Sequence, residues 1–236
     1  MALEPISVAE LDALRRLDTC TVSDAIETFK VRLRNAGFAD ARIRCMFEDI
    51  PPMVGYAATA QLRSAEPPIA GRIYVDRTDW WNSILQVPAP RIVVLEDLDK
   101  PQGVGAFLGG MQAAILRALG CVGFVTDGAV RELPRVRELG FHLFAGNVAV
   151  SHAYAHIFEF GSQVKVGGLE VHPGDLLHGD RHGLLTVPKD IAGEIATAAA
   201  RLHQAEKKVM DFSGSREFSV EKLRHILKEL SSGDSG

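Results

Sequence analysis

The residues best placed to do chemistry lie between Gly109 and Glu132, in the stretch GGMQAAILRALGCVGFVTDGAVRE. The spacing predicts a Gly-Gly turn, a helix, a buried strand, and then Asp127-Gly128-Ala129-Val130-Arg131-Glu132 at the strand's end. A helix opened by Gly109-Gly110 offers free backbone N–H groups and the positive end of the helix dipole, a ready seat for a carboxylate or phosphate. Arg131 and Glu132, delivered side by side, supply a cation for an anionic ligand and a carboxylate for a metal. Joined by one helix and one strand, the two devices can face the same crevice at the carboxyl ends of the strands. The chemistry expected is that of a small-molecule site for an anion.

The elements that must hold this site follow from the apolar pattern. Val8, Leu11, Leu14 and Leu17 recur at helical spacing over Val8 to Asp18, and a second helix is expected from Thr21-Val22-Ser23-Asp24, capped by Thr or Ser. Ile43 to Phe47 reads as a short strand, Gly55 to Ser64 as a longer one, and Arg91 to Leu95 (RIVVL) as a fully buried one. A helix is expected from Asp79 through Leu85, where at least one of Trp80 and Trp81 should bury its ring. Around the chemical residues, the pattern gives a helix from Met111 to Leu119, a strand from Val122 to Thr126, a short helix over Leu133 to Leu139 and a strand from His142.

The later chain reads as hairpins: Gln163 to Val171 about Gly167-Gly168, the turn Pro173-Gly174-Asp175, and Leu184 to Val187. A long helix from about Ile191 to Met210 and another over Val220 to Leu230 close it. Helices mixed with strands first and hairpins later predict an α/β domain with a mixed sheet. No repeat or low-complexity linker divides it, so one domain over 1–236 is expected, with a core at about 7–200, a helical appendage at about 201–231 and a disordered end at 232–236.

Composition limits the partners. The chain has 236 residues, 26 Lys+Arg against 30 Asp+Glu, and a net charge of −4, which gives no electrostatic case for nucleic acid. No run reaches the ~18 apolar residues of a membrane span, and the charged start resembles no secretory leader. Cys20, Cys45 and Cys121 form no CxxC pair, which argues against disulfide or cysteine-based zinc frameworks and fits a reducing cytoplasm. His152 and His156 have the i,i+4 spacing of a helical metal pair but no third ligand nearby, so packing or an interface is favoured. His172, His178 and His182 read as polar surface, and Asp127, Asp175 and Asp180 as turn residues.

GGMQAAILRALGCVGFVTDGAVREL, then RELGFHLFA, then VKVGGLEVHPGDLLHGDRHGLLTVP resembles the RraA-like family, which contains 4-hydroxy-4-methyl-2-oxoglutarate aldolases and regulators of ribonuclease E activity. The resemblance runs from TVSDAIE to the Val-Pro at 187–188 and rests on the order and spacing of DGAVR, PGD and D-x-x-G together. It implies a single-domain β/β/α sandwich, assembled as a homotrimer or a dimer of trimers with sites between subunits. It implies a lyase that uses Mg²⁺ or Mn²⁺ to cleave a 4-hydroxy-2-oxo acid to pyruvate, or to decarboxylate oxaloacetate. The substrate carboxylate would rest on the amides at Gly109, Gly110, Met111 and Gln112, with Arg131 as the catalytic contact and Glu132 in the metal-binding place. The alternative implied is a non-catalytic regulator that binds a protein such as a ribonuclease. The chain departs from the aldolase pattern where Gly110 and Arg135 replace acidic residues and Glu132 replaces Asp.

Overall fold

A computed structural model describes residues 6–68 and 77–233. The last three residues of the expected disordered end, 234–236, lie outside them. Two helices lead the chain, α1 (Val8–Arg15) and α2 (Thr19–Thr28). Ser7 starts α1 with a reciprocal capping box: its Oγ accepts from Glu10 N, and the Glu10 carboxylate accepts from Ser7 N. Asp18 caps α2 by accepting from Thr21 N at 2.8 Å. The helix therefore begins two positions earlier than expected. Asp and Thr are both good caps, and local sequence does not choose between them.

The strands and remaining helices follow as β1 (Arg44–Cys45), β2 (Met53–Arg63), α3 (Arg77–Gln86), β3 (Arg91–Asp97), β4 (Ala106–Leu108), α4 (Gly110–Ala118), β5 (Cys121–Val130) and α5 (Leu133–Glu138). Then come β6 (His142–Val148), β7 (His156–Phe160), β8 (Val164–Val166), β9 (Leu169–Val171), β10 (Leu176–Asp180), β11 (Gly183–Val187), α6 (Ile195–Ser213) and α7 (Val220–Gly233). The main sheet runs β1-β6-β5-β3-β2-β10-β11, with β4 added to β5 and β7 added to β2. Its middle is parallel (β2 with β3, β3 with β5, β5 with β6), and β1, β7, β10 and β11 pair antiparallel.

The alternation of side chains along β3 shows how the layers form. Val93 and Leu95 point to a core shared with Trp80, Ile84, Phe107, Leu116 and Phe124 under α3 and α4. Ile92 and Val94 point to the opposite core, where Val164, Val166, Leu169 and Val171 of the β8–β9 hairpin close over the sheet. A strand buried on both faces must be apolar at every position, as RIVVL is. Hairpin, sheet and helices thus make the expected β/β/α sandwich. Gly167 and Gly168 turn the hairpin with φ of 55° and 78°, the paired positive values of a two-residue loop that matches strand twist.

A third cluster joins α1, α2 and α6 to β10 and β11 through Leu14, Ile26, Leu176, Leu185 and Ile195. His178 belongs to this buried region, not to the surface. It has no exposed area, its Nε2 donates to Leu14 O at 3.1 Å, and its Nδ1 meets Thr19 Oγ1 at 3.1 Å. Burial lowers its affinity for a proton, so the ring sits neutral between its two partners. Of α6, Ile195 and Ala199 are buried, while its later turns and α7 as far as Leu230 are half-buried or exposed. Among the described residues, no helix is long and apolar enough to cross a membrane.

Candidate active site

β5 does not end at Asp127-Gly128 but continues through them to Val130, with an irregularity in its pairing to β6 between Thr126 and Ala129. At that bulge the Asp127 carboxylate turns inward as a brace. It accepts from Asp97 N at 2.8 Å and from Gln102 Nε2 at 2.5 Å, tying the end of β3 to the loop before β4. The turn role expected of Asp127 thus becomes a cross-strand one.

Burial, with the nearby Asp97 and Glu96 charges, pushes the Asp127 carboxyl from its ordinary 3.8 up to about 6. A carboxyl raised on folding binds protons more tightly in the folded state, so stability rises as pH falls from about 6 towards 4, and is lost in the other direction. Asp127→Asn is accordingly expected to raise stability near pH 7.5 by on the order of 1–3 kcal/mol and to change it little near pH 4. Thermal melts of both proteins at the two pH values check this. An equal shift at both would remove ionisation as the cause.

After β5 the chain delivers the two charged residues. Arg131 N donates to Leu108 O at 2.9 Å, which fixes the strand end beside β4. Glu132 then adopts a left-handed conformation (φ 54°, ψ 41°) as the N-cap of α5, and its side chain folds back over the start of α4. There Oε2 accepts from Gly110 N at 2.8 Å and Oε1 accepts from Arg131 Nη2 at 3.1 Å. The Gly110 amide, followed by the Arg131 and Arg135 charges, holds this carboxyl below the usual glutamate range, so it stays ionised.

Both glycines leave room for this approach. A Cβ on Gly109 would lie 3.0 Å from Glu132 Oε2, and one on Gly110 would lie 2.5 Å from Arg135 Cδ. The helix start therefore already receives one anion, from the protein itself. The next two amides, of Met111 and Gln112, precede the first intrahelical bond, Ala113 N to Gly109 O at 2.9 Å, and have no acceptor among the described residues.

These groups open onto a cavity of about 680 Å³ whose polar side is formed by Gly109, Gln112, Glu132, Arg135 and His152. Phe107, Tyr154 and Ile157 form its apolar side. Arg131 is not among the residues that line this cavity, and its Nη2 pairs with Glu132 Oε1 at 3.1 Å. A larger cavity of about 1050 Å³, lined by Arg42, Lys100, Asp127 and Lys165 among others, shares no residue with this one.

Three details of the wall come from the tertiary structure. Gln112 is only 7% exposed, and its side-chain Nε2 is buried with no hydrogen-bond partner among the described residues. Arg135 lies over Gly110, joining the two positions where the chain departs from the aldolase pattern. His152 lies in a loop and His156 in β7, so their spacing is not helical. His152 Nδ1 sits 2.7 Å from Ala106 O. A carbonyl can only accept, so Nδ1 carries the hydrogen and Nε2 keeps a basic lone pair.

The donor set admits a hard divalent cation. Glu132 is ionised and has used two of its lone-pair positions, and an ion such as Mg²⁺ takes one or two protein carboxylates and fills the rest with water and substrate oxygens. The flanking Arg131 and Arg135 guanidiniums oppose a bare cation there.

A protein of Halalkalibacterium halodurans, provisionally named 4-hydroxy-4-methyl-2-oxoglutarate aldolase, is 26% identical over 210 residues, covering 87% of this chain and 88% of its own length. The 4-hydroxy-4-methyl-2-oxoglutarate aldolase of Thermus thermophilus is 36% identical over 89 residues, covering 37% of this chain and 54% of its own. An uncharacterised Pseudomonas syringae protein of known structure superposes with a TM-score of 0.71 at 24% identity, covering 95% of this chain and 97% of its own. Streptomyces coelicolor RraAS2, described as an unusual member of the RNase ES inhibitor RraA family, gives 0.66 at 22% identity, covering 86% and 97%. These two likenesses show a shared fold. The RraA-like family model, described as Aldolase/RraA, matches residues 19–186, and the chain belongs to that family.

Proposed function

We propose that the protein is a lyase that breaks a carbon–carbon bond of an anionic 2-oxo acid, by retro-aldol cleavage of a 4-hydroxy-2-oxo acid to pyruvate or by decarboxylation of oxaloacetate. The observation that carries this reading is the meeting of two open helix amides, Glu132 and the basic Nε2 of His152 around one cavity. The amides of Met111 and Gln112 receive the C1 carboxylate of the substrate. As the C3–C4 bond breaks, negative charge collects on the C2 oxygen, and the Arg131–Glu132 pair sets the field there. His152 Nε2 takes the C4 hydroxyl proton, the bonding pair passes into the enolate, and the same proton returns to C3 to give pyruvate. Glu132 would hold Mg²⁺ or Mn²⁺, which would supply neutralisation of the enolate charge.

The wall of the cavity exposes Met111 and Tyr154, 68% and 54% accessible. Such a patch beside a cavity supports a homotrimer, or a dimer of trimers, in which a neighbouring copy closes the site. The reading takes residues 1–236 as one domain with a helical appendage, and the three free cysteines are compatible with a cytoplasmic setting.

Purified protein with Mg²⁺ or Mn²⁺ is expected to release pyruvate from oxaloacetate and from 4-hydroxy-4-methyl-2-oxoglutarate faster than the free metal does. Rates no higher than those of the metal alone would remove the lyase reading. The second reading, a regulator that binds a protein such as a ribonuclease, is favoured by Arg135 lying over Gly110 and by Glu132 filling the helix start. Absence of turnover together with ribonuclease binding would select it.

A further inference from the structure

Away from the cavity, the start of α2 meets the turn between β10 and β11. One ligand atom each from Asp18, Cys20 and His182 lie within 4.8 Å of one another there. The three side chains are exposed, so a hydrated ion can reach them. They come from opposite ends of the fold, and one buried carboxylate holds both segments in place. Asp180 is 5% exposed; one of its oxygens accepts from Thr19 N at 2.9 Å, and the other accepts from His182 N at 2.8 Å.

That second oxygen also lies 3.1 Å from His182 Nδ1. A carboxylate there takes the Nδ1 hydrogen, which leaves Nε2 for a ligand, the usual orientation of a metal-binding histidine. Asp18 is fixed as the cap of α2, and Cys20 stands on the first turn of that helix. Burial, followed by the Asp18, Asp180 and Asp24 charges, raises the Cys20 thiol, so the surroundings are anionic and a bound cation must displace the thiol proton to solvent.

From this geometry we infer that Asp18, Cys20 and His182 form a site for one divalent cation of the zinc class, separate from the cavity at α4. A set of one carboxylate oxygen, one thiolate sulfur and one imidazole nitrogen suits Zn²⁺ in four-coordination with a water in the last place, and does not suit Mg²⁺ or Ca²⁺. Occupation ties the N-terminal helices to the β10–β11 hairpin and stabilises the folded chain by mass action.

Co²⁺ serves as the probe, added to chelator-treated full-length protein. The expected result is a near-ultraviolet thiolate-to-cobalt absorption that saturates at one ion per chain, is removed by Zn²⁺ and is untouched by Mg²⁺. Zn²⁺ should also raise the melting temperature. Cys20→Ser, at an exposed position, should abolish the absorption while leaving the circular dichroism unchanged. Asp180→Asn preserves the shape of the support and should weaken Zn²⁺ binding about 10–100-fold. Absence of the absorption, its survival in Cys20→Ser, or unchanged Zn²⁺ affinity in a Cys20→Ser/His182→Ala protein would each overturn the inference. None of these readouts depends on lyase activity, so failure here leaves the reading of the α4 cavity standing, and the reverse.

Discussion

Arg131→Ala is expected to lower kcat for pyruvate release about 10²–10³-fold, roughly 3–4 kcal/mol of transition-state stabilisation. The guanidinium is held 3.1 Å from Glu132, so its charge is in place before the substrate arrives and reorganises little during reaction. Its backbone bond to Leu108 O does not depend on the side chain, so the strand end keeps its position in the variant. Arg131→Lys should fall between the two, because an ammonium restores the charge without the planar fork. Steady-state kinetics on both variants, with circular dichroism to confirm folding, make the measurement. Full activity in Arg131→Ala would place the chemistry elsewhere in the molecule.

Phe124→Ala should carry the largest stability effect, about 3–5 kcal/mol, the range for removing a buried aromatic ring. Phe124 has no exposed area and its ring lies parallel to that of Phe107, whose centroid is 5.5 Å from that of Trp80 in a near-perpendicular arrangement. Phe107 is also part of the apolar wall of the cavity, so this stack is the floor on which the site rests. For a chain of this size the loss corresponds to a fall in melting temperature of roughly 6–20 °C. A fall of only a degree or two would mean that the neighbouring rings collapse into the space. At temperatures well below the new midpoint, the variant should still turn over substrate.

Much of this could be read from local pattern. RIVVL declares a strand buried on both faces, and Trp80 is indeed wholly enclosed. The paired glycines at 109 and 110 mark the helix start that opens the site. What local pattern lacks is tertiary choice. His178 and His182 have similar neighbours in sequence, yet one is enclosed by α1 and α2 while the other stays at the surface. Asp180 looks like an ordinary turn residue until Thr19 arrives from the far end of the chain. Asp127 likewise becomes a brace only because β3 lies alongside β5. The fold back of Glu132 onto Gly110 depends on a left-handed backbone that no spacing rule announces.

The pairing of β2 has a consequence for how the molecule is made. Along one strand, Tyr56 meets Arg91 on one side and Leu176 on the other, while Ala60 further on meets Phe160. During synthesis β2 leaves the ribosome early, but its second edge stays unpaired until β7 and β10 emerge. At roughly 5–20 residues per second that delay lasts on the order of ten seconds. Throughout it, an apolar strand with a free edge is on offer to any other nascent chain. Yield in the cell should therefore depend on chaperone supply and growth temperature more steeply than the stability of the finished protein would indicate.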